Sequence, residues 1–354
     1  MNTKNNAITI WRIVFTYAIL IHHFDIKFGL TQEFGMINGW YIGVEFFFIV
    51  SGYLLYTGLD KLSEKCHSGL DYFVYRYKNI YPYYLGAFLF SLICWIAVTE
   101  DVWLKDVVEL LFMQFFEIFA LHGIGLDAGW SYINNTTWFI SVMFISGFII
   151  YHCLIKWKDN FVRFVAPLII MISFSYLYRN ACCLDAVVET TGFYNNYALM
   201  RGLADMCLGI MAALLNGYIR ANCKRTGWLR LMGSLGFVFV LLCSMKYGNS
   251  TKDFMYAMLL TVCVAIAFLP SEHKIFHCKY IHKWSAVTLS IYLVHDAFRT
   301  YIFPIFLDVT EEPGPKFVYL LVYMTVVTVF AIIFEKVVKW SIAKVNAFIR
   351  MVVS

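Results

Sequence analysis

Residues 8–28 read Ile8-Thr-Ile-Trp-Arg12-Ile-Val-Phe-Thr-Tyr-Ala-Ile-Leu-Ile-His22-His23-Phe-Asp25-Ile-Lys-Phe28. A bilayer core takes roughly 20 predominantly apolar residues to cross, and this stretch is long enough. It is apolar on nearly every turn, yet it carries an arginine, two histidines and an aspartate. A cleaved secretory leader is the competing reading. The polar residues interrupt the apolar run, however, and no small-x-small cleavage site follows. The expectation is an uncleaved first membrane helix with ionisable side chains turned inward.

The rest of the chain has the same character. Of 354 residues, 61% are hydrophobic and 14% charged, against about 45–50% and about 25% in soluble domains. Mean hydropathy is +0.68, and the 33 Phe, 24 Tyr and 10 Trp leave too little polar surface for a soluble globule. Disorder needs low hydrophobicity and is excluded. The 6 Pro and 21 Gly are too few for a fibrous or low-complexity protein. The apolar runs are long rather than alternating, which favours helices over a barrel.

We read ten spans, near 8–28, 39–58, 80–98, 135–155, 162–178, 197–218, 228–247, 252–270, 284–306 and 316–341. Residues 102–121, with Lys105, Asp106, Glu109 and Glu117, are amphipathic and read as an interfacial or re-entrant segment. The expected fold is thus an all-α integral membrane bundle forming one domain over 1–354. With the N-terminus inside, most of the 28 lysines and arginines collect on the inner side. Outside fall only Lys27, Lys105, Arg179, Lys246, Lys252, Arg299 and Lys316. The positive-inside rule therefore predicts N-in and C-in.

The ten cysteines form no C-x-x-C pair, and most fall within spans, where Cys behaves as a small apolar residue. No metal-ligand spacing, phosphate loop or nucleic-acid motif appears, so neither a metal nor a nucleic acid is expected.

Polar groups inside a membrane are costly and default to functional candidates. Arg12 and His23 stand eleven residues apart, about three turns, so they share a face and differ in depth by roughly 16 Å. Counted from the span ends, Glu45 of the second span shares His23's depth, where a carboxylate can fix a histidine's tautomer. Arg201 and Asp205 are one turn apart and read either as a mutual pair or as an acceptor-binding site. Trp138 follows Asn134-Asn135-Thr136-Thr137 at the outer end of the fourth span, and fits an interfacial belt as well. His295 and Asp296 sit mid-span in the ninth, where His295 reads first as a hydrogen-bonded packing residue.

These residues resemble the membrane-bound acyltransferase 3 family, multi-pass O-acyltransferases that modify bacterial surface sugars. Arg12 and His23 match its opening Arg and His in the first helix. Gly43-Val-Glu45-Phe46-Phe47-Phe48-Ile-Val-Ser51-Gly52 matches its next motif, and Arg76-Tyr-Lys78-Asn79-Ile-Tyr81-Pro82 its basic inner loop. Trp138-Phe-Ile-Ser141 and the run from Ser290 through Tyr292 to His295 follow in order. Asn79 departs from the pattern, standing where the family often has a second arginine.

The resemblance implies a coenzyme A thioester, expected to be acetyl-CoA, as donor on the cytoplasmic side, met by Arg76, Lys78 and Tyr81. It implies a cell-surface glycan or its lipid-linked precursor as acceptor, with Trp138, Arg201, Asp205 and His295 on that side. It also implies a location in a bacterial inner membrane. The chemistry needs a base at the hydroxyl and positive charge at the donor. His23 suits the first, with Glu45 orienting it, and Arg12 the second. Ser51 beside Gly52 reads as a helix-packing site rather than a nucleophile. Two alternatives remain: a transporter or flippase of lipid-linked sugar, and an aminoacyl-transferring relative.

Overall fold

The computed structural model describes residues 7–31, 37, 39–125, 132–185, 196–271, 278–307 and 313–353. Among these residues the chain is helical, with no strand. The helices are α1 (Ile8–Phe28), α2 (Gly43–Thr57), α3 (Leu59–Ser63), α4 (Gly69–Val98), α5 (Leu104–Met113), α6 (Phe115–Ile118) and α7 (Trp138–Asn160). They continue with α8 (Ala166–Asn180), α9 (Tyr197–Asn222), α10 (Gly227–Tyr247), α11 (Lys252–Ala267), α12 (Lys279–Ala297) and α13 (Pro313–Val353).

Six helical stretches among the described residues are long and apolar enough to cross a membrane: 40–57, 69–98, 135–180, 197–222, 227–247 and 316–351. The sequence reading placed spans on α1, α11 and α12 as well. The 16-residue α11 is too short to qualify. In α1 and α12 the polar residues that draw attention to them also lower their hydropathy.

The 46-residue stretch 135–180 is two arms rather than one rod. Its backbone leaves the helical region at Trp157 (φ −141°, ψ 44°). A Cβ on Gly202 would meet Val142 and Ser146 of α7, while Ser173 of α8 donates to the Met200 sulfur. Residues 142 and 173 would lie roughly 46 Å apart along a straight helix. Both instead touch α9 within three residues of each other, so the chain turns back after Trp157 and both arms pack on α9.

Helix ends follow the local sequence. Gly29 takes the left-handed conformation (φ 65°) that ends α1, its N–H donating to the Asp25 carbonyl. The Ser68 hydroxyl accepts from the Asp71 N–H and the Asp71 carboxylate from the His67 N–H, which starts α4 at Gly69. The helix then runs through Pro82 without a break. This corrects the expectation of a basic inner loop before a span at 80: Arg76, Lys78 and Tyr81 lie on a helix, and its two capping residues fix their faces.

Two apolar cores flank α2. One joins α1, α4, α7, α12 and α13 around Phe24, Tyr84, Phe144 and Tyr323. The other gathers α9, α10 and α11 around Phe46, Phe237 and Leu260. Between α2 and α9 the backbones touch: a Cβ on Gly209 would fall 2.1 Å from the Ile49 carbonyl oxygen, and one on Gly52 2.0 Å from that of Met206. Such small-residue seams let membrane helices approach closely. Overpacking costs about 1–3 kcal/mol where neighbours can yield, and a backbone carbonyl yields least. Gly209→Leu should therefore lower the thermal midpoint in detergent far more than Leu242→Ala on the exposed face of α10, a comparison that circular dichroism melting makes directly.

The connection after α4 folds back on it. No residue of α5 is buried, and Leu104 and Phe112 are 79% and 83% exposed, as befits an interfacial helix. The segment then turns inward, where three tyrosines of α4 hold it. Tyr77, Tyr81 and Tyr84 donate to the carbonyls of Phe119, Ile118 and Glu117 in turn. The buried Glu117 carboxylate accepts from the N–H groups of Ile133 and Asn134, drawing the two ends of the turn together.

Candidate active site

Two histidines from opposite ends of the sequence meet in the bundle. His23 Nδ1 lies 2.8 Å from His295 Nε2, with the rings stacked at 5.1 Å. His295 Nδ1 bonds the Tyr292 carbonyl. A carbonyl only accepts, so His295 carries its proton on Nδ1 and presents a lone pair at Nε2. His23 must then donate from Nδ1, which leaves the lone pair of the neutral His23 ring on Nε2. This is the arrangement a general base requires.

His295 is held in turn by its surroundings. Its carbonyl accepts from the Tyr323 hydroxyl. The Asn134 amide donates to the Leu293 carbonyl, the Asn135 N–H to Asp296, and the Tyr292 hydroxyl to the Thr136 carbonyl. Asp296 also pairs with Arg299. Residues 134–136 are thereby stapled to α12 around the histidine.

Below this pair lies a cavity of about 240 Å³ between α1, α2, α4, α7 and α12. Its upper lining includes Ile19, one turn below His23, and Tyr292, one turn below His295. Its other polar lining residues are Arg12, Arg76, Ser51 and Thr288. The Ser51 hydroxyl donates to the Phe47 carbonyl, as expected of a packing serine. The structure thus joins Arg12 and Arg76 in one space leading up toward His23.

Other expected site residues lie elsewhere. Glu45 does not orient His23: its carboxylate accepts from Arg201 at 2.9 and 2.5 Å, with both side chains at most 1% exposed. The reason is depth. A Cβ on Gly43 would touch Ile19 and the Phe15 carbonyl, so α2 begins well below the outer end of α1. Counting from span ends had placed Glu45 too high.

The expected Arg201–Asp205 pair also gives way to Glu45. Asp205 is fully buried, and neither of its carboxylate oxygens has a hydrogen-bond partner among the described residues. Trp138 lies under the Arg201 guanidinium, 5.1 Å from the ring centre. This cluster packs α2, α7 and α9 together and lines no part of the cavity.

On α4, the Tyr81 hydroxyl is committed to Ile118. Lys78 lies against a groove beside α13, away from Arg76. Two residues apart on a helix is roughly 200° of rotation, so Lys78 cannot supply the charge missing at Asn79 within the cavity.

Sequence reading missed the task of Glu117, taken there as part of a polar face. Its isolation within Phe115-Phe116-Glu117-Ile118-Phe119 is the signal of a buried carboxylate in need of donors. No group of three or more metal-ligating side chains occurs among the described residues.

Comparison with known proteins adds one finding. The acyltransferase 3 family model, described as an acyltransferase domain, matches residues 5–336. No curated protein and no solved structure matches the chain.

Proposed function

This chain belongs to the acyltransferase 3 family, and from that membership we propose that it carries an acyl group across most of a membrane to a sugar hydroxyl. It is a multi-pass membrane protein and an acyltransferase. In our reading it has ten passes with both termini inside, sits in a bacterial inner membrane, and uses acetyl-CoA. Its acceptor is a cell-surface glycan or the lipid-linked precursor of one.

The observation that carries this reading is the His23–His295 pair standing over a cavity that holds two arginines. The acceptor hydroxyl, entering from the outer side, hydrogen-bonds His23 Nε2. Its oxygen attacks the thioester carbonyl as its proton passes to Nε2, and the new C–O bond forms a tetrahedral intermediate. The C–S bond then breaks, and the imidazolium returns the proton to the departing thiolate. His295 acts through His23, as acceptor for the Nδ1 proton and as a partner for the positive charge once it forms. Arg12, roughly 16 Å below His23, is too far for the reacting carbonyl and suits the phosphate or pantetheine end of the donor, together with Arg76.

Turnover of labelled acetyl-CoA by the purified protein in nanodiscs, in the presence of a hydroxyl acceptor, tests the reading. Movement of lipid-linked sugar without thioester turnover would favour a transporter instead. For the donor site, Arg76→Ala should weaken coenzyme A binding by roughly tenfold, the loss of a charge-assisted contact. Lys78→Ala should leave it within about twofold, because its side chain faces another groove. Equal losses in equilibrium binding would show that the donor reaches around α4.

A further inference from the structure

A second cavity, of about 810 Å³, lies between α4 and α13 and is separate from the candidate active site. The two helices run antiparallel here. A Cβ on Gly86 would sit 3.1 Å from the Phe334 ring, and Phe90 stacks on Phe330 at 4.4 Å. Lys78 and Asn79 of α4 therefore share one end of the groove with Asn346 of α13, and Leu89, Ile93 and Phe330 belong to the apolar remainder.

Three features fix the kind of occupant. First is length. From Pro82 to Ile93 the lining is apolar for eleven residues, roughly 16 Å, and one leaflet supplies about half of the ~30 Å hydrocarbon core. Second is charge. The Lys78 ammonium is exposed and makes no ion pair among the described residues, and Lys344 and Arg350 follow on the last turns of α13. Third is a free acceptor. Pro82 has no N–H, so the Lys78 carbonyl, four residues back, loses its helical partner just where the lining turns polar.

We propose that this groove is a binding site for one anionic glycerophospholipid. An acyl chain lies along Leu89, Ile93 and Phe330, the phosphate meets Lys78 and the Asn346 amide, and a headgroup hydroxyl donates to the Lys78 carbonyl. Phosphatidylglycerol has every one of these groups. Lys78, which the sequence resemblance assigns to coenzyme A, serves the lipid instead.

Photolabelling of the full chain in nanodiscs tests this, using phosphatidylglycerol with a diazirine in one acyl chain, followed by peptide mapping. Label should concentrate on 82–93 and 330–345 over the equally lipid-facing α10. Lys78→Glu should reduce it by about fivefold or more, since one basic residue near the surface contributes about that factor toward an anionic lipid. Leu89→Trp, which fills the groove without touching the charge, should reduce it as well, and both variants should keep the wild-type melting midpoint. Even labelling of α10 and the groove would overturn the proposal, leaving only ordinary lipid contact. Equal labelling by a diazirine diacylglycerol, insensitive to Lys78→Glu, would overturn the phosphate assignment. A dimer that shields both segments from label would assign the groove to a second copy.

Discussion

Replacing His23 with alanine is expected to cut acyl transfer by about 10²–10⁴-fold, the usual contribution of a positioned general base. Coenzyme A binding should persist, because the arginines lie lower in the bundle. The two histidines should not behave alike. His295→Ala removes the group that fixes which nitrogen of His23 carries the proton, and should cost less than His23→Ala. His295→Gln retains an acceptor that the His23 Nδ1–H can reach, and should recover part of the loss. A merely structural role for His295 predicts no such ordering. The test is the rate of labelled acyl transfer at saturating donor for all three variants, each checked for wild-type melting. Should His23→Ala turn over at the wild-type rate, the base lies elsewhere and the reading falls.

The second large effect concerns the Glu45–Arg201 pair. Both groups are out of contact with solvent, and breaking such a pair by removing one partner costs about 3–5 kcal/mol, because the other charge is stranded. Arg201→Met should therefore prevent stable folding in detergent or lower the melting midpoint sharply. Changing both partners to apolar residues of similar size, Glu45→Leu with Arg201→Met, should restore much of the stability. If the single variant melts like wild type, the pair contributes little and the cluster must hold α2 and α9 together by packing alone. A double variant that folds and still transfers acyl groups would separate the fold from the chemistry, since the cluster lines no part of the cavity.

Much of the helical layout could be read from the sequence, because apolar runs of the right length constrain little else. Arg12 and His23 were legible because a period of 3.6 residues fixes their common face. The partner of His23 was not. His295 and Glu45 are both polar residues at plausible depths, and choosing between them requires knowing where α2 begins relative to α1. Gly43 against Phe15 and Ile19 settles that, through a turn whose length says nothing about depth. Lys78 and Tyr81 failed for a different reason. A basic run before a proline reads as a loop, in which neighbouring residues share one environment, but the Ser68–Asp71 cap makes it a helix and sends them to different sides. Glu117 carried its own clue, a lone carboxylate among aromatic residues, and lacked only the identity of its donors.

The three phenol hydroxyls of α4 have a consequence for yield. Where the chain leaves α6, carbonyls without a helical partner would otherwise draw water into the wall of the bundle, as unpaired backbone must within a bilayer. Tyr77 and Tyr81 answer the carbonyls of Phe119 and Ile118, and Tyr84 adds a donor to that of Glu117, which also accepts from the Ala120 N–H. In the proposed reaction, a thioester held under His23 would have two competitors for its acyl group, the sugar hydroxyl and a stray water, and a dry enclosure favours the first. In that reading, the fraction of acyl groups delivered rather than wasted depends partly on residues that touch neither substrate: a seal, placed on the flank of the helix that carries Arg76, roughly 80–140° around from it.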